Sequence, residues 1–143
     1  MKRRLARQVA FQCLFAWHVG QNAPDVLLAR SLATPVWRRA DAAYARQLVQ
    51  WVMQFHAAVK ADVAKLLSGY VFDELTLVEQ VILLMSACEM TCATQTPVPV
   101  LINEAVMLCR QFGTQQGYRL VNAVLDRLAN CHRPQDSCTR SVI

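Results

Sequence analysis

The segment Thr76–Cys92 constrains the fold most. Thr76-Leu77-Val78-Glu79 reads as a capping box, with Thr at the N-cap and Glu three residues on. The helix it opens runs to about Cys92 and has almost no polar residue between Gln80 and Ser86. A helix that is apolar on every side must be wrapped by the rest of the chain. It is therefore expected to be the most buried helix of a compact helical domain.

The neighbouring segments supply the wrapping. Lys2, Arg3, Arg4 and Arg7 open a first helix from about Arg3 to Val19, which stops at Gly20. Residues 20–24 read as a loop. A short helix follows from about Asp25 to Ala33, and Thr34-Pro35 breaks it. From about Arg39 to Leu67, Tyr44, Leu48, Trp51, Val52, Phe55, Val59, Val63 and Leu66 recur at helical spacing. Trp51 and Phe55 read there as core. Pro97 and Pro99 suit the first turn of a helix that ends at Phe112-Gly113. A last helix spans about Gln115 to Ala129, and the residues after Cys131 read as a loose polar tail. No stretch shows sustained strand alternation. The expectation is an all-α fold of six to seven helices, with a domain over 1–131 and a flexible tail over 132–143.

The charge distribution says more than the net +5. Residues 1–20 carry four basic residues and no acid, while residues 110–143 carry five arginines against Asp126 and Asp136. If the two ends meet, they form one basic face, the footprint of a nucleic-acid binder. Twelve of the fifteen basic residues are arginine, whose planar fork suits phosphates and base stacking.

Six cysteines, at 13, 88, 92, 109, 131 and 138, do not form a disulfide framework. Cys88 and Cys92 lie one turn apart, but no CxxC pair or His/Cys cluster accompanies them, so no metal or cofactor is expected. Reduced thiols point to the cytoplasm. The basic start followed by apolar residues looks like a signal peptide, but Gln8, Gln12 and His18 interrupt it. No window is apolar for long enough to span a membrane. Catalytic spacing is absent and the three histidines are scattered, so no enzymatic activity is expected.

On a helical wheel, the first helix has a core face of Leu5, Val9, Cys13, Ala16 and Trp17. A separate stripe carries Arg3, Arg4 and Arg7, then Phe11, Leu14, Phe15 and His18. That stripe is either a second buried face or an RNA-binding patch running into a protein-binding patch. In the last helix, Arg119, Asn122 and Asp126 lie beside a core stripe of Tyr118, Val121, Leu125 and Leu128. Asn122 is either a buried structural amide or a contact to phosphates and base edges. Asn103-Glu104 reads as a structural element at a helix start.

Three segments together resemble the NusB family of bacterial transcription antitermination factors: RRLARQVAFQCLFAW, ELTLVEQVILLMSACEM and I-N-E-A-V…F-G…V-N-x-V-L-D. The resemblance covers residues 3 to about 130. It implies two packed helical subbundles and a non-enzymatic role in rRNA operon transcription. The implied partners are a boxA-type single-stranded RNA, NusE (a small-subunit ribosomal protein) and the transcription elongation complex. A homodimer is left open. Carried over residue by residue, RNA contacts fall on Lys2, Arg3, Arg4, Arg7, Gln116, Gly117, Arg119 and Asn122. The NusE surface falls on Phe15, Val19 and Glu79. Two positions depart from the family's usual pattern: Leu84 replaces an arginine, and Gln116-Gly117-Tyr118 replaces an acid-serine-basic loop. The alternative function is a NusB-like protein-interaction module that has lost RNA binding.

Overall fold

A computed structural model describes residues 2–20, 22–113 and 116–133. Among them are six α-helices, two short 3-10 helices and no strand. The α-helices are α1 (Lys2–His18), α2 (Pro24–Leu32), α3 (Ala42–Leu66), α4 (Leu77–Cys92), α5 (Val98–Phe112) and α6 (Gly117–His132). The chain divides into two compact units, Met1–Gln54 and Phe55–Ile143, and the division falls inside α3. No described helix is long and apolar enough to cross a membrane.

In the first unit α1 packs on α2. Both wheel faces of α1 are buried. Val9 and Cys13 are covered, and so are Phe11 and Leu14, with the Phe11 and Phe15 rings tilted at a centroid distance of 6.0 Å. The middle of the second stripe, Arg7, Phe11 and Leu14, is thus core, while Arg3 and Arg4 at its start and His18 at its end are exposed, Phe15 is half-buried, and Val19 beyond it is exposed. Helix α3 starts at Ala42, later than periodicity implies, because Asp41 is its N-cap: the Tyr44 amide donates to Asp41 Oδ1 at 3.1 Å. The Asp41 amide donates to the Lys2 carbonyl at 3.0 Å, tying this corner to the start of α1. Trp51 meets Tyr44 edge-on, at 6.2 Å and 88°.

In the second unit α4, α5 and α6 pack on one another. Every residue from Glu79 to Met90 is buried, as the apolar run predicts. The capping hydroxyl is in place, Thr76 Oγ1 accepting from the Glu79 amide at 3.2 Å. Gln80 Nε2 donates to the Leu75 carbonyl at 2.9 Å. Phe55 corrects an expectation, since at 38 % exposure it is a surface residue and not core. Asn103 and Glu104 lie in the second turn of α5, because that helix already begins at Val98. Glu104 is buried, while Asn103 is exposed and its Nδ2 lies 3.7 Å from Met107 Sδ.

Helix α6 runs on to His132, past the expected end at Ala129. Arg133 follows and fastens the end of α4. Its guanidinium donates to the carbonyls of Met90 and Ala93, each at 2.6 Å, and to that of Thr96. Carbonyls in the last turn of a helix have no partner within it, and a cation there also suits the helix dipole. The expected tail beyond Arg133, with Cys138, lies outside the described residues, as does Gln115.

Arg127 makes a simpler bond, to the Leu66 carbonyl at 2.9 Å, from an exposed position. Arg133→Ala should lower unfolding free energy by about 1–3 kcal/mol, the range for charged hydrogen bonds removed from partly buried acceptors. Arg127→Ala should cost less than about 1 kcal/mol. Urea unfolding of both variants checks the order, and equal midpoints would refute it.

Candidate nucleic-acid interface

Two basic surfaces emerge, one in each unit. In the first unit Lys2, Arg3 and Arg4 are all exposed at the start of α1. The Arg3 guanidinium lies 4.3 Å from the centroid of the Tyr44 ring, a distance at which a cation is attracted by the aromatic face. Arg7 shares the Tyr44 ring with Arg3, its guanidinium 5.6 Å from the centroid, but at 4 % exposure it is covered and not part of the exposed surface. The wheel shows direction around one helix but not what covers it, and here the Tyr44 ring lies against Arg7.

In the second unit Gly113, Gln116, Tyr118, Arg119 and Arg110 line a surface groove of about 530 Å³. Tyr118 lies between two cations, with the Arg110 guanidinium 4.6 Å and the Arg119 guanidinium 5.9 Å from its ring centroid. Arg119 Nε also donates to the Tyr118 phenol oxygen at 3.4 Å. That bond, with the charges of Arg119 and Arg110, lowers the Tyr118 pKa from its usual value. The cluster is cationic and open to solvent, and guanidinium planes can contact phosphate or stack on bases. Asn122 is exposed on the same helix, so the reading of it as a buried amide does not hold.

Close approach, rather than backbone freedom, explains the two glycines flanking this turn. A Cβ on Gly117 would lie 2.8 Å from Glu79 Oε1 and 3.1 Å from Cys109 Sγ. A Cβ on Gly113 would lie 2.8 Å from the Cys109 carbonyl oxygen. Gly117 is thus buried where α6 begins against the Glu79 carboxylate, and its side of the turn faces inward. Glu79 is itself only 7 % exposed, so it is an internal seat for α6 and not a free surface acid. Burial, and secondly the charge of Glu79, raises the Cys109 pKa.

Arg110 and Tyr118 were not legible as site residues. They lie on different helices, and the turn at Phe112-Gly113 breaks the periodicity that would relate them. Glu79 and Gly117 stand apart from the exposed residues, and so does Arg7.

Burial, and then the nearby Cys92 thiol, pushes Cys88 up to about 12, which disfavours the thiolate a metal needs. Among the described residues no group of three or more His, Cys, Asp and Glu could hold a metal ion.

An all-helical chain with exposed arginine clusters beside aromatic rings is a nucleic-acid-binding type of domain in its chemistry. Its sequence places it further: the model of the NusB family matches residues 4–130, and the chain belongs to that family. It is 35% identical over 128 residues to the transcription antitermination protein NusB of Chromobacterium violaceum, covering 89% of this chain and 85% of that protein. It is 34% identical over 138 residues to the protein of the same name from Burkholderia mallei, covering 96% and 94%. The fold resembles NusB of T. maritima, with a TM-score of 0.82 at 20% identity, covering 97% of this chain and 98% of that one. It also resembles a chain from the crystal structure of the antitermination factors NusB and NusE in complex with double-stranded RNA. That match has a TM-score of 0.78 at 21% identity and covers 91% and 97%.

The Arg119–Tyr118 bond has a direct readout. Because Arg119 favours the phenolate, Arg119→Ala should move the Tyr118 titration upward. Absorbance titration of tyrosinate in a Tyr70→Phe background checks this, and an unchanged curve would refute the pairing.

Proposed function

We propose that this chain is an RNA-binding transcription antitermination factor that works without catalysis. It binds a boxA-type single-stranded RNA together with NusE, as part of the elongation complex in the cytoplasm, and supports transcription of rRNA operons. The observation that carries this reading is the cluster of exposed Lys2, Arg3 and Arg4 at the start of α1, a helix with no acidic residue, in a chain of the NusB family.

Electrostatic attraction to phosphates supplies affinity, and base contacts add preference. Lys2, Arg3 and Arg4 take the first role. Arg119, Gln116 and Asn122, all exposed, meet the strand at the start of α6, with Arg110 and Tyr118 beside them. Arg7 and Gly117 act from within, Arg7 against Tyr44 and Gly117 by letting α6 approach Glu79. Phe15 and Val19 form the NusE contact, and Glu79 supports it indirectly by seating α6. The relatives' shared name, transcription antitermination protein NusB, supports the role in transcription. The alternative of an interaction module without RNA binding leaves the exposed arginines without a task, and the assays below separate the two.

The triple variant Lys2→Ala, Arg3→Ala, Arg4→Ala should bind boxA RNA more weakly. Its plot of log K against log salt should flatten by about 0.7 for each phosphate of a single strand that is no longer neutralised. Fluorescence anisotropy over a salt series measures this, with a duplex of the same sequence as the comparison. An unchanged slope would refute the electrostatic role.

Phe15→Ala should weaken NusE binding while leaving helicity intact, since truncating an interface aromatic often costs about 2 kcal/mol or more. Calorimetric titration with NusE, alongside circular dichroism, checks it. A folded variant that binds as tightly as the wild type would place the interface elsewhere.

A further inference from the structure

A second groove, of about 780 Å³, opens in the first unit between the start of α1 and the start of α3. Lys2, Leu5, Arg38, Arg39, Ala40 and Asp41 line it. We propose that this groove is an RNA phosphate-binding site in which Arg38 and Arg39 hold the strand's backbone. The inference rests on the RNA-binding reading and names a site that the sequence pattern did not mark.

Three observations carry it. First, the lining brings three cations together with one acid, and Lys2, Arg38 and Arg39 are all exposed. The acid is committed elsewhere, since one Asp41 oxygen accepts from the Tyr44 amide at the positive end of α3. Second, the cations sit on a braced corner and not on a free tail. The Asp41 amide bonds the Lys2 carbonyl, so the start of α1 and the Arg38-Arg39 corner are held together. The 3-10 helix Pro35–Trp37 adds a bond on the other side, the Arg38 amide donating to the Pro35 carbonyl at 3.2 Å. Fixing the backbone beneath the arginines reduces the ordering cost of binding.

Third, the groove is continuous with the proposed RNA surface. Lys2 lines it, and Lys2 heads the exposed cluster with Arg3 and Arg4. A strand that runs over that cluster therefore reaches the groove next. Adjacent guanidiniums offer two forks, and each can grip a phosphate through paired N–H donors. The site carries no base-reading amide, so it should add affinity and salt dependence without sequence preference.

The test compares boxA RNA binding across a salt series for the wild type, R38A/R39A, R38K/R39K and a control, R30A/R46A. The control removes two exposed arginines of the same unit that do not line the groove. R38A/R39A should flatten the slope by about 0.7 for each phosphate it ceases to neutralise. The control should keep the wild-type slope. R38K/R39K should also keep the slope, since charge is retained, and bind more weakly because the forks are gone. Equal flattening in R38A/R39A and the control overturns the site and leaves a diffuse field in its place. No flattening in R38A/R39A overturns it outright. Failure of the wild type itself to bind RNA overturns the RNA reading, and this inference with it. If circular dichroism shows the double variant unfolded, the single variants R38A and R39A carry the same comparison.

Discussion

The second unit depends on a helix with no solvated face. From Glu79 to Met90 every residue of α4 is buried, while Leu77 before that stretch and Thr91 after it are exposed, so water has little access to the polar groups at the ends of the buried stretch. Those ends must be closed by protein groups, because an unmet buried donor or acceptor costs as much as a missing hydrogen bond. The Thr76 hydroxyl serves the first turn, the Gln80 side-chain amide serves the Leu75 carbonyl just before the helix, and the Arg133 guanidinium collects the Met90 carbonyl of the last turn and that of Ala93 beyond it. The consequence reaches α6, since the residue just past its end is the one that closes α4.

The same buried helix sets where the exposed cations of the second unit stand. Glu79 in its first turn meets Gly117, where a Cβ would lie 2.8 Å from Glu79 Oε1, so any larger residue would displace the carboxylate. That seat places the start of α6, and with it Tyr118 and Arg119 beside Arg110 at the end of α5. An acid in a helix's first turn and a glycine in a loop look unrelated in the sequence, and packing makes them one joint. The first unit uses a different device, a capped corner in which Asp41 serves both α3 and the Lys2 carbonyl.

Several functional assignments change character once burial is known. The family resemblance implies partner contacts at Arg7, Gly117 and Glu79, yet in this chain each is covered. Arg7 lies against Tyr44, and Gly117 and Glu79 meet where α6 approaches α4. Conversely, Asn122 is open to solvent although it lies among apolar neighbours in the chain, because it falls between the buried positions Val121 and Val124 on the outer side of α6.

Local signals in the sequence determined the class of fold and most element limits. The Thr76 cap set the start of α4, since a hydroxyl accepting the amide three residues on needs only its own turn to act. Apolar spacing marked the helices, and the acid-free start marked the basic cluster, because both are read along one helix. Periodicity could not decide how much of the second stripe on α1 is covered, since that depends on groups distant in the chain, such as Tyr44 against Arg3 and Arg7. Nor could it bring Arg110 to Tyr118, or Lys2 to Arg38 and Arg39, since turns break the phase that relates residues within a helix. Those groupings join separate elements, and only tertiary packing creates them.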